Sequence, residues 1–395
     1  MNIRSVISER ERNLPGAMIG RLLKIAEESR DVISLGPGEP DFCAPAYVVD
    51  AMRSAVAACE THYSPTDGRR ELKEAIVKKL KRENKIDARP ENVIVTAGST
   101  EAIMLSLMCL VDPGEEVLVP DPGFLGYIPT IELLNGFAIS IPLKQDNGFQ
   151  INGDAIREQI KNPNKLRAII INTPGNPTGT VLKKRTLEEI ADVAIEYNVP
   201  ILADEAYEHF IYDRARHVSI GSLNGMEDYV VTFHSFSKTF AMPGFRVGYA
   251  VGPKPLIDAM SKVHIYTSLC APTPSQIAAA VALNDTKNAK KSIGEMVGEY
   301  ARRRKLILKR LSQIKGFHVD NPEGAFYALP SFFFKKKLTS VDLVEWMIKE
   351  ARVAAVPGTE FGRCGEGYVR FSYATAYDKI ETAMDRLEQK MKKLN

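Results

Sequence analysis

Short apolar segments alternate with longer amphipathic segments between residues 45 and 285. The apolar segments predict strands, and the amphipathic ones predict helices. Buried strands that alternate with helices favour an α/β fold, in which a mostly parallel sheet lies between layers of helices. The predicted strands are NVIVT, EVLVP, FAISIPL, RAIIIN, PILAD, YVVTF and FRVGYAVG, and the predicted helices include VVDAMRSAVAACE, RRELKEAIVKKLKREN, EAIMLSLMCLV and TLEEIADVAIEYN.

The pattern changes after residue 285. A long basic helical stretch leads to weaker strands (AFYALP, VAAVP, YVRFSYA) and to helices at 341–351 and 377–394, which predicts a smaller α+β domain. Near the start, IGRLLKIAEESRD predicts a helix that packs on the small domain or on a partner subunit. We therefore expect an N-terminal arm at 1–44 belonging to the small domain, a large domain at 45–285 and a small domain at 286–395.

Composition narrows the class of protein. The chain has 395 residues, 45% of them hydrophobic and 26% charged, which is ordinary for a globular enzyme. A net charge of +3 gives no indication of a nucleic-acid-binding surface. No signal peptide or membrane-length apolar run is visible. The five cysteines are scattered without metal-ligand spacing, so we expect no metal site and a reducing, cytoplasmic compartment.

Polar residues follow four of the predicted strands. Ligands of open α/β sheets bind outside the carboxyl ends of the strands, so these residues are candidates for one site. AGST follows NVIVT, TPGNPTG follows RAIIIN, EAY follows the Asp204 that ends PILAD, and HSFSK follows YVVTF. Each motif alone has a plain structural alternative: a helix N-cap, a turn, a salt bridge, or a lysine that reaches solvent.

Together these strand ends supply an amine, a carboxylate, a phenol, a carboxamide, hydroxyls and a guanidinium. Pyridoxal 5′-phosphate requires such a set. Its aldehyde needs a lysine, and its ring nitrogen needs a carboxylate in order to stay protonated. Its phosphate needs a helix N-terminus, hydroxyls and an arginine. The residues therefore indicate a pyridoxal-phosphate site.

The chain resembles the class I/II aminotransferases of the fold-type I pyridoxal-phosphate enzymes, and within them the prokaryotic and archaeal aspartate or aromatic aminotransferases. The resemblance extends from ISLGPGEPDF at 33–42 to GYVRFSYAT at 367–375. Its most specific segment is SFSKTFAMPGFRVGY at 235–249, and AGSTEA, NTPGNPTG and DEAY precede that segment in the family's order.

The resemblance implies a role for each matched position. Lys238 would bind the cofactor covalently and shuttle the proton, Asp204 would pair with the ring nitrogen, and Tyr207 would act on the ring oxygen together with Asn176. Phe124 would stack on the ring, and Tyr63 would reach the phosphate of the neighbouring subunit in a homodimer. The phosphate would be held by Gly98, Ser99, Thr100, Ser235 and Arg246, and the substrate α-carboxylate by Arg370 with Gly38 and Asn176.

The burial expected for Arg370 supports its role independently. It lies between Val369 and Phe371 in an apolar strand, and a buried guanidinium requires an anion. A planar guanidinium can donate two parallel hydrogen bonds to a carboxylate, although a structural salt bridge would explain the residue equally well.

The function expected from the resemblance is reversible, ping-pong transamination between an L-amino acid and a 2-oxo acid such as 2-oxoglutarate. Two alternatives are a β- or γ-eliminating lyase on the same scaffold and a non-enzymatic regulatory module, which would need an additional DNA-binding domain.

The preference for a substrate side chain is left open. The segment VHIYTSLCAPTPSQ offers only His264, with Lys262 before it, where dicarboxylate-specific relatives have a further basic residue. A pocket near Phe124, Tyr127 and Tyr266 would accept aromatic side chains. His209 and His217 are expected to be loop residues.

Overall fold

A computed structural model of the chain describes residues 6–12, 14, 20 and 31–394. The predicted helical segments after residue 45 all contain α-helices, and single π-helical turns at Leu80–Asn84 and Met347–Ala351 extend two of them. Six further helices were not predicted: Glu9–Arg12, Tyr127–Leu133, Gly153–Arg157, Phe236–Thr239, Lys254–Thr267 and Thr273–Asn284. The helices are α1 (Glu9–Arg12), α2 (Ala46–Ala57), α3 (Arg70–Lys79), α4 (Ser99–Leu110), α5 (Tyr127–Leu133), α6 (Gly153–Arg157), α7 (Lys184–Tyr197), α8 (Phe236–Thr239), α9 (Lys254–Thr267), α10 (Thr273–Asn284), α11 (Thr286–Gln313), α12 (Ser340–Trp346) and α13 (Tyr377–Met391).

The strands form one large sheet and three small ones. In chain order they are β1 (Ile33–Ser34), β2 (Val93–Thr96), β3 (Glu116–Asp121), β4 (Phe137–Pro142), β5 (Leu166–Asn172), β6 (Ile201–Asp204), β7 (Val230–Ser235), β8 (Gly248–Val251), β9 (Phe317–His318), β10 (Tyr327–Ala328), β11 (Ser331–Phe332), β12 (Val353–Ala354), β13 (Val356–Pro357) and β14 (Val369–Ser372).

The large sheet has seven strands in the order β2-β8-β7-β6-β5-β3-β4. Strand β8 is antiparallel to both of its neighbours, and the other adjacent pairs are parallel. Since parallel strands end at the same edge, the polar segments after β5, β6 and β7 lie side by side. The predicted α/β fold with a mostly parallel sheet is confirmed.

Apolar residues on both faces hold the sheet between its helices. On β5, Ile169 and Ile171 pack into one buried cluster, while Ala168 and Ile170 pack into the cluster on the opposite face. A strand buried on both sides needs an unbroken apolar run, because successive side chains alternate between the faces. This is why RAIIIN could be recognised as a strand from the sequence alone.

The small sheets lie in a separate apolar cluster with α12, α13 and part of α11. Strand β14 is central, between β10 and β13, and β1 pairs in parallel with β12. The predicted strand VAAVP is therefore two strands: Val353–Ala354 joins β1, and Val356–Pro357 joins β14. The chain passes from one sheet to the next at Ala355, which sequence periodicity over so few residues does not reveal.

Most of the predicted N-terminal helix IGRLLKIAEESRD lies outside the described residues. The boundaries after 44 and 285 stay predictions, although α10 ends at Asn284 and α11 begins at Thr286. No helix in the described part of the chain has the length and apolar character that a membrane crossing requires.

Candidate active site

A cavity of about 300 Å³ lies at the carboxyl edge of the large sheet. Of the residues proposed from sequence, it brings together all except Tyr63. Its lining includes Gly38, Gly98, Ser99, Thr100, Phe124, Asn176, Asp204, Tyr207, Ser235, Lys238, Arg246 and Arg370.

One end of the cavity is formed by the N-terminus of α4. Gly98 caps this helix with a left-handed backbone (φ +88°), and a Cβ atom at this position would lie 2.6 Å from Nη2 of Arg246. Glycine is therefore required both for the turn and for the approach of the guanidinium. Arg246 donates to the carbonyl oxygens of Pro243 (2.9 Å) and Ala97 (3.1 Å). Helix N–H groups beside an arginine form a good phosphate cradle.

Lys238 lies in the short helix α8, directly after β7. Its ammonium donates to the carbonyl oxygen of Gly38 at 2.5 Å. Burial, opposed by the Glu39 carboxylate and reinforced by Arg370 and Arg246, lowers the pKa of Lys238 to about 8. An ordinary lysine has a pKa near 10.4, so at neutral pH the uncharged amine is roughly 200 times more abundant here. This amine is prepared for nucleophilic and basic chemistry.

Asp204 ends β6 and is buried. Burial raises the pKa of its carboxyl group, whereas the hydroxyl of Tyr127 (2.7 Å to Oδ2) and the main-chain N–H of Ala206 (3.1 Å to Oδ1) favour the charged form. A carboxylate that is buried without a cation is costly. A positively charged group in the cavity would compensate Asp204, as a protonated pyridine ring does.

Arg370 is on β14 and is 1% exposed. Its Nη1 donates to Oδ1 of Asn176 (2.9 Å) and its Nη2 to the carbonyl of Gly36 (2.5 Å). Its Nε has no hydrogen-bond partner, and no carboxylate of the described chain forms an ion pair with its guanidinium. Burial lowers the pKa of this guanidinium. A buried cation without a counter-ion is strongly attractive to an anion. The structural salt bridge that the sequence left open is therefore not formed within residues 31–394.

Two tyrosine hydroxyls meet on another wall of the cavity. Oη of Tyr207 lies 2.6 Å from Oη of Tyr327, and both residues are buried. Tyr327 lies on β10 and also stacks its ring on Arg370, with 4.4 Å between Cζ and the ring centroid. Sequence reasoning missed Tyr327, since nothing in AFYALP distinguishes this tyrosine from a core aromatic.

Of the three aromatic residues expected near the side-chain pocket, only Phe124 lines the cavity. Tyr127 lies beneath it, fully enclosed, and its hydroxyl is used by Asp204. Tyr266 is 84% exposed and is not among the lining residues.

Tyr63 lies outside this cavity and is 82% exposed. The segment around it is nevertheless held in place. Thr273 on α10 donates to the carbonyl of His62 (2.6 Å), and Gln276 donates to Oγ of Ser64 (2.8 Å). Its ring is therefore presented to solvent from a fixed segment.

His209 and His217 lie outside helices and strands, as expected, and they also belong to a buried ionic network. Glu208 bonds the ammonium of Lys79, the amide of Asn84 (2.7 Å) and Nδ1 of His234 (3.0 Å). His217 lies 3.0 Å from Glu205. The cations hold the pKa of Glu208 well below its usual range despite the opposing effect of burial. The partners are far apart in sequence, so no local pattern revealed the network.

The residues present fit pyridoxal phosphate on several independent observations. Gly98 leaves room for the guanidinium of Arg246 beside the α4 N-terminus, and the two together suit a phosphate group. The unpaired carboxylate of Asp204 suits a pyridinium, and the amine of Lys238 is unusually easy to deprotonate. Nε of Arg370 is buried without a hydrogen-bond partner, and its guanidinium lines the cavity without a counter-ion.

Comparison with known proteins gives one consistent result. Residues 30–387 match the family model described as aminotransferase class I and II. The chain is 46% identical to an aspartate aminotransferase of Pyrococcus abyssi, with 94% of each chain covered. It is 43% identical to aromatic-amino-acid aminotransferase 2 of Thermococcus litoralis, with 98% of each covered. The crystal structure of an aromatic aminotransferase from Pyrococcus horikoshii superposes with a TM-score of 0.88 at 45% identity, over 94% of this chain and 99% of that one.

Proposed function

Because the chain belongs to the class I and II aminotransferases, a family of pyridoxal-phosphate-dependent enzymes, we propose that it transfers the amino group of an L-amino acid to a 2-oxo acid such as 2-oxoglutarate in a ping-pong cycle. The observation that carries the proposal is the shared cavity, which Lys238, Asp204 and Arg370 line together. When bound, pyridoxal phosphate supplies a carbonyl group that condenses with amines and a ring that withdraws electrons from the substrate α-carbon.

Lys238 is the residue that moves the proton. Its lowered pKa leaves roughly a tenth of the amine uncharged at pH 7, so it can accept the α-proton and return it. Nζ donates to the carbonyl oxygen of Gly38 at 2.5 Å, which holds the amine at the cavity wall. A correctly placed general base contributes about 10²- to 10⁴-fold to the rate.

Asp204 keeps the ring nitrogen protonated, and Tyr127 keeps Asp204 in position through its 2.7 Å hydrogen bond. Tyr207 and Asn176 would donate to the ring oxygen, and Phe124 would pack on the ring face. Arg246, Gly98, Ser99, Thr100 and Ser235 line the end of the cavity at the α4 N-terminus, and they would hold the phosphate.

Arg370 binds the α-carboxylate of every substrate, with Asn176 and the main chain of Gly38. Asn176 already accepts a hydrogen bond from Arg370 at 2.9 Å, so it fixes the plane of the guanidinium before the substrate arrives. Preorganised forks of this kind bind a carboxylate with two parallel bonds.

The donor is an aromatic or other apolar L-amino acid. The basic side chains that line the cavity are Lys238, Arg246 and Arg370, and each already has a role. The remaining wall contains Ile103 and Phe124. An acidic side chain would need a cation from outside this lining. The relatives named as aspartate and as aromatic aminotransferases show that both preferences occur on closely similar chains.

The active unit is a cytoplasmic homodimer. Tyr63 lies between two residues that α10 holds in place, yet it is 82% exposed, as expected for a residue that contacts the phosphate in a neighbouring subunit. The cysteines of the described chain are free, which suits a reducing compartment.

The experiment uses purified enzyme loaded with pyridoxal phosphate, phenylalanine and aspartate as donors, and no acceptor. We expect one equivalent of 2-oxo acid per subunit. Further turnover should begin only after 2-oxoglutarate is added. Release of pyruvate and ammonia from a donor with a leaving group would identify a lyase instead. Borohydride should fix the cofactor to the wild type but not to Lys238→Ala, and a reduced adduct on another lysine would refute the assignment.

A further inference from the structure

The hydroxyl of Tyr327 has a geometry that its core position alone does not require. Tyr327 Oη lies 2.6 Å from Tyr207 Oη, and this is the one hydrogen bond that the structure records for either phenol within residues 31–394. A Cβ atom at Gly38 would lie only 2.3 Å from Tyr327 Oη, so a glycine provides the space that this hydroxyl occupies.

The number of protons fixes the direction of this bond. A phenol has a single hydroxyl proton and can also accept. If Tyr207 donates its proton to the ring oxygen of the cofactor, it can only accept from Tyr327. A donor that itself accepts a hydrogen bond becomes a stronger donor, because the bonds polarise one another.

We propose that Tyr327 is a positioning residue that acts through Tyr207: it donates to Tyr207 Oη, fixes that hydroxyl toward the cofactor oxygen and strengthens it as a donor. The inference rests on the proposed function, since it requires the cofactor in this cavity. Tyr327 lies on the small sheet next to Arg370, whereas Tyr207 follows the large sheet. The hydroxyl pair thus connects the two sides of the cavity.

The sign of the effect can be derived. A donor to the ring oxygen stabilises negative charge there, and so favours loss of the proton from the bond that links the cofactor to Lys238. Tyr327→Phe removes the supporting bond and should raise the pKa of that linkage. A neutral hydrogen bond changes an equilibrium by about two- to tenfold, so the proton-binding constant should rise by roughly that factor.

The test is a spectrophotometric pH titration of the bound cofactor in the wild type and in three variants: Tyr327→Phe, Tyr207→Phe and the double variant. Tyr207→Phe should raise the pKa of the linkage most, Tyr327→Phe should raise it less, and the double variant should equal Tyr207→Phe. Tyr212→Phe is the matched control. It removes an equally short buried phenol bond, 2.6 Å to the carbonyl of Ala325, from the same apolar cluster and outside the cavity lining.

Four outcomes would overturn the proposal. An unchanged titration in Tyr327→Phe, with a shifted one in Tyr207→Phe, rejects the role of Tyr327 and leaves the proposed function standing. Additive shifts in the double variant show that Tyr327 acts independently of Tyr207. An unchanged titration in Tyr207→Phe places the cofactor oxygen elsewhere and overturns the proposed site together with this inference. Each substitution retains the aromatic ring, and a shift equal to that of Tyr212→Phe would indicate only altered packing.

Discussion

Arg370→Lys tests the substrate side of the site most directly. The substitution keeps the positive charge but loses the planar fork, because an ammonium group cannot donate two parallel bonds to a carboxylate. It also loses the stacking on two rings, since the guanidinium lies 4.4 Å from the centroid of Tyr327 and 4.7 Å from that of Phe361.

The expected loss of kcat/KM in Arg370→Lys follows from the hydrogen bonds that the substitution removes. A hydrogen bond to a charged group contributes about 1.5–3 kcal/mol. Loss of one such bond in the transition state lowers kcat/KM by roughly 10- to 150-fold. Because every amino acid and 2-oxo acid has the same α-carboxylate, we expect a similar factor for phenylalanine, alanine and aspartate.

The assay is steady-state kcat/KM for those three donors at saturating 2-oxoglutarate, with thermal unfolding as a check that the variant is folded. Arg304→Lys is a suitable control, since Arg304 is a buried arginine that bonds Asp213 (2.7 Å) and the carbonyl of Pro322 (2.7 Å) outside the cavity. It should lose stability rather than kcat/KM. A loss confined to aspartate would place Arg370 in the side-chain pocket, and no loss at all would refute the carboxylate role.

Four further outcomes are expected. In cofactor-free protein, an amine-specific reagent should modify Lys238 with an apparent pKa of about 8, whereas a pKa near that of surface lysines would contradict the electrostatic role of burial. Asp204→Asn should bind the cofactor but lose most of kcat, and Tyr127→Phe should lose less; near-normal kcat in Asp204→Asn would exclude the electron-sink role. Sedimentation should show a dimer, and a fully active monomer would refute the shared site. Lys79→Met should destabilise the fold by about 3–5 kcal/mol in urea at pH 7, because Glu208 loses its ammonium partner. The pKa of Glu208 is lower in the folded state than in the unfolded state, so its charge stabilises the fold above the unfolded pKa near 4.3. This stabilisation is lost as the pH falls toward the folded-state pKa. The difference in unfolding free energy between wild type and Lys79→Met should therefore be smaller in acid.

Much of the large sheet could be predicted because strands buried on both faces require continuous apolar runs. The positions of Asp204 and Lys238 followed from the same runs, since each residue ends or follows a strand. The small sheets were harder to predict. Each pair of their strands is matched over only two residues, so the sequence carries too few alternations to fix them.

The supporting residues of the site could not be predicted for a related reason. Tyr127 and Tyr327 occupy positions where any buried aromatic would satisfy the local pattern, and their roles depend on contacts 77 and 120 residues away. Tyr127 was expected in the side-chain pocket, but its hydroxyl bonds Asp204. Only the three-dimensional arrangement shows which hydroxyl group of a buried tyrosine has a hydrogen-bond partner.

The lone charge of Arg370 also affects how the protein should be handled. An enclosed guanidinium with no carboxylate partner in the described chain does not distinguish a substrate from any other small carboxylate. Acetate, formate or citrate in a storage buffer would therefore compete with amino donors. A ligand at a hundred times its Kd also adds about 2.7 kcal/mol to apparent stability. Melting temperatures measured in acetate and in an amine buffer would then differ for the same preparation.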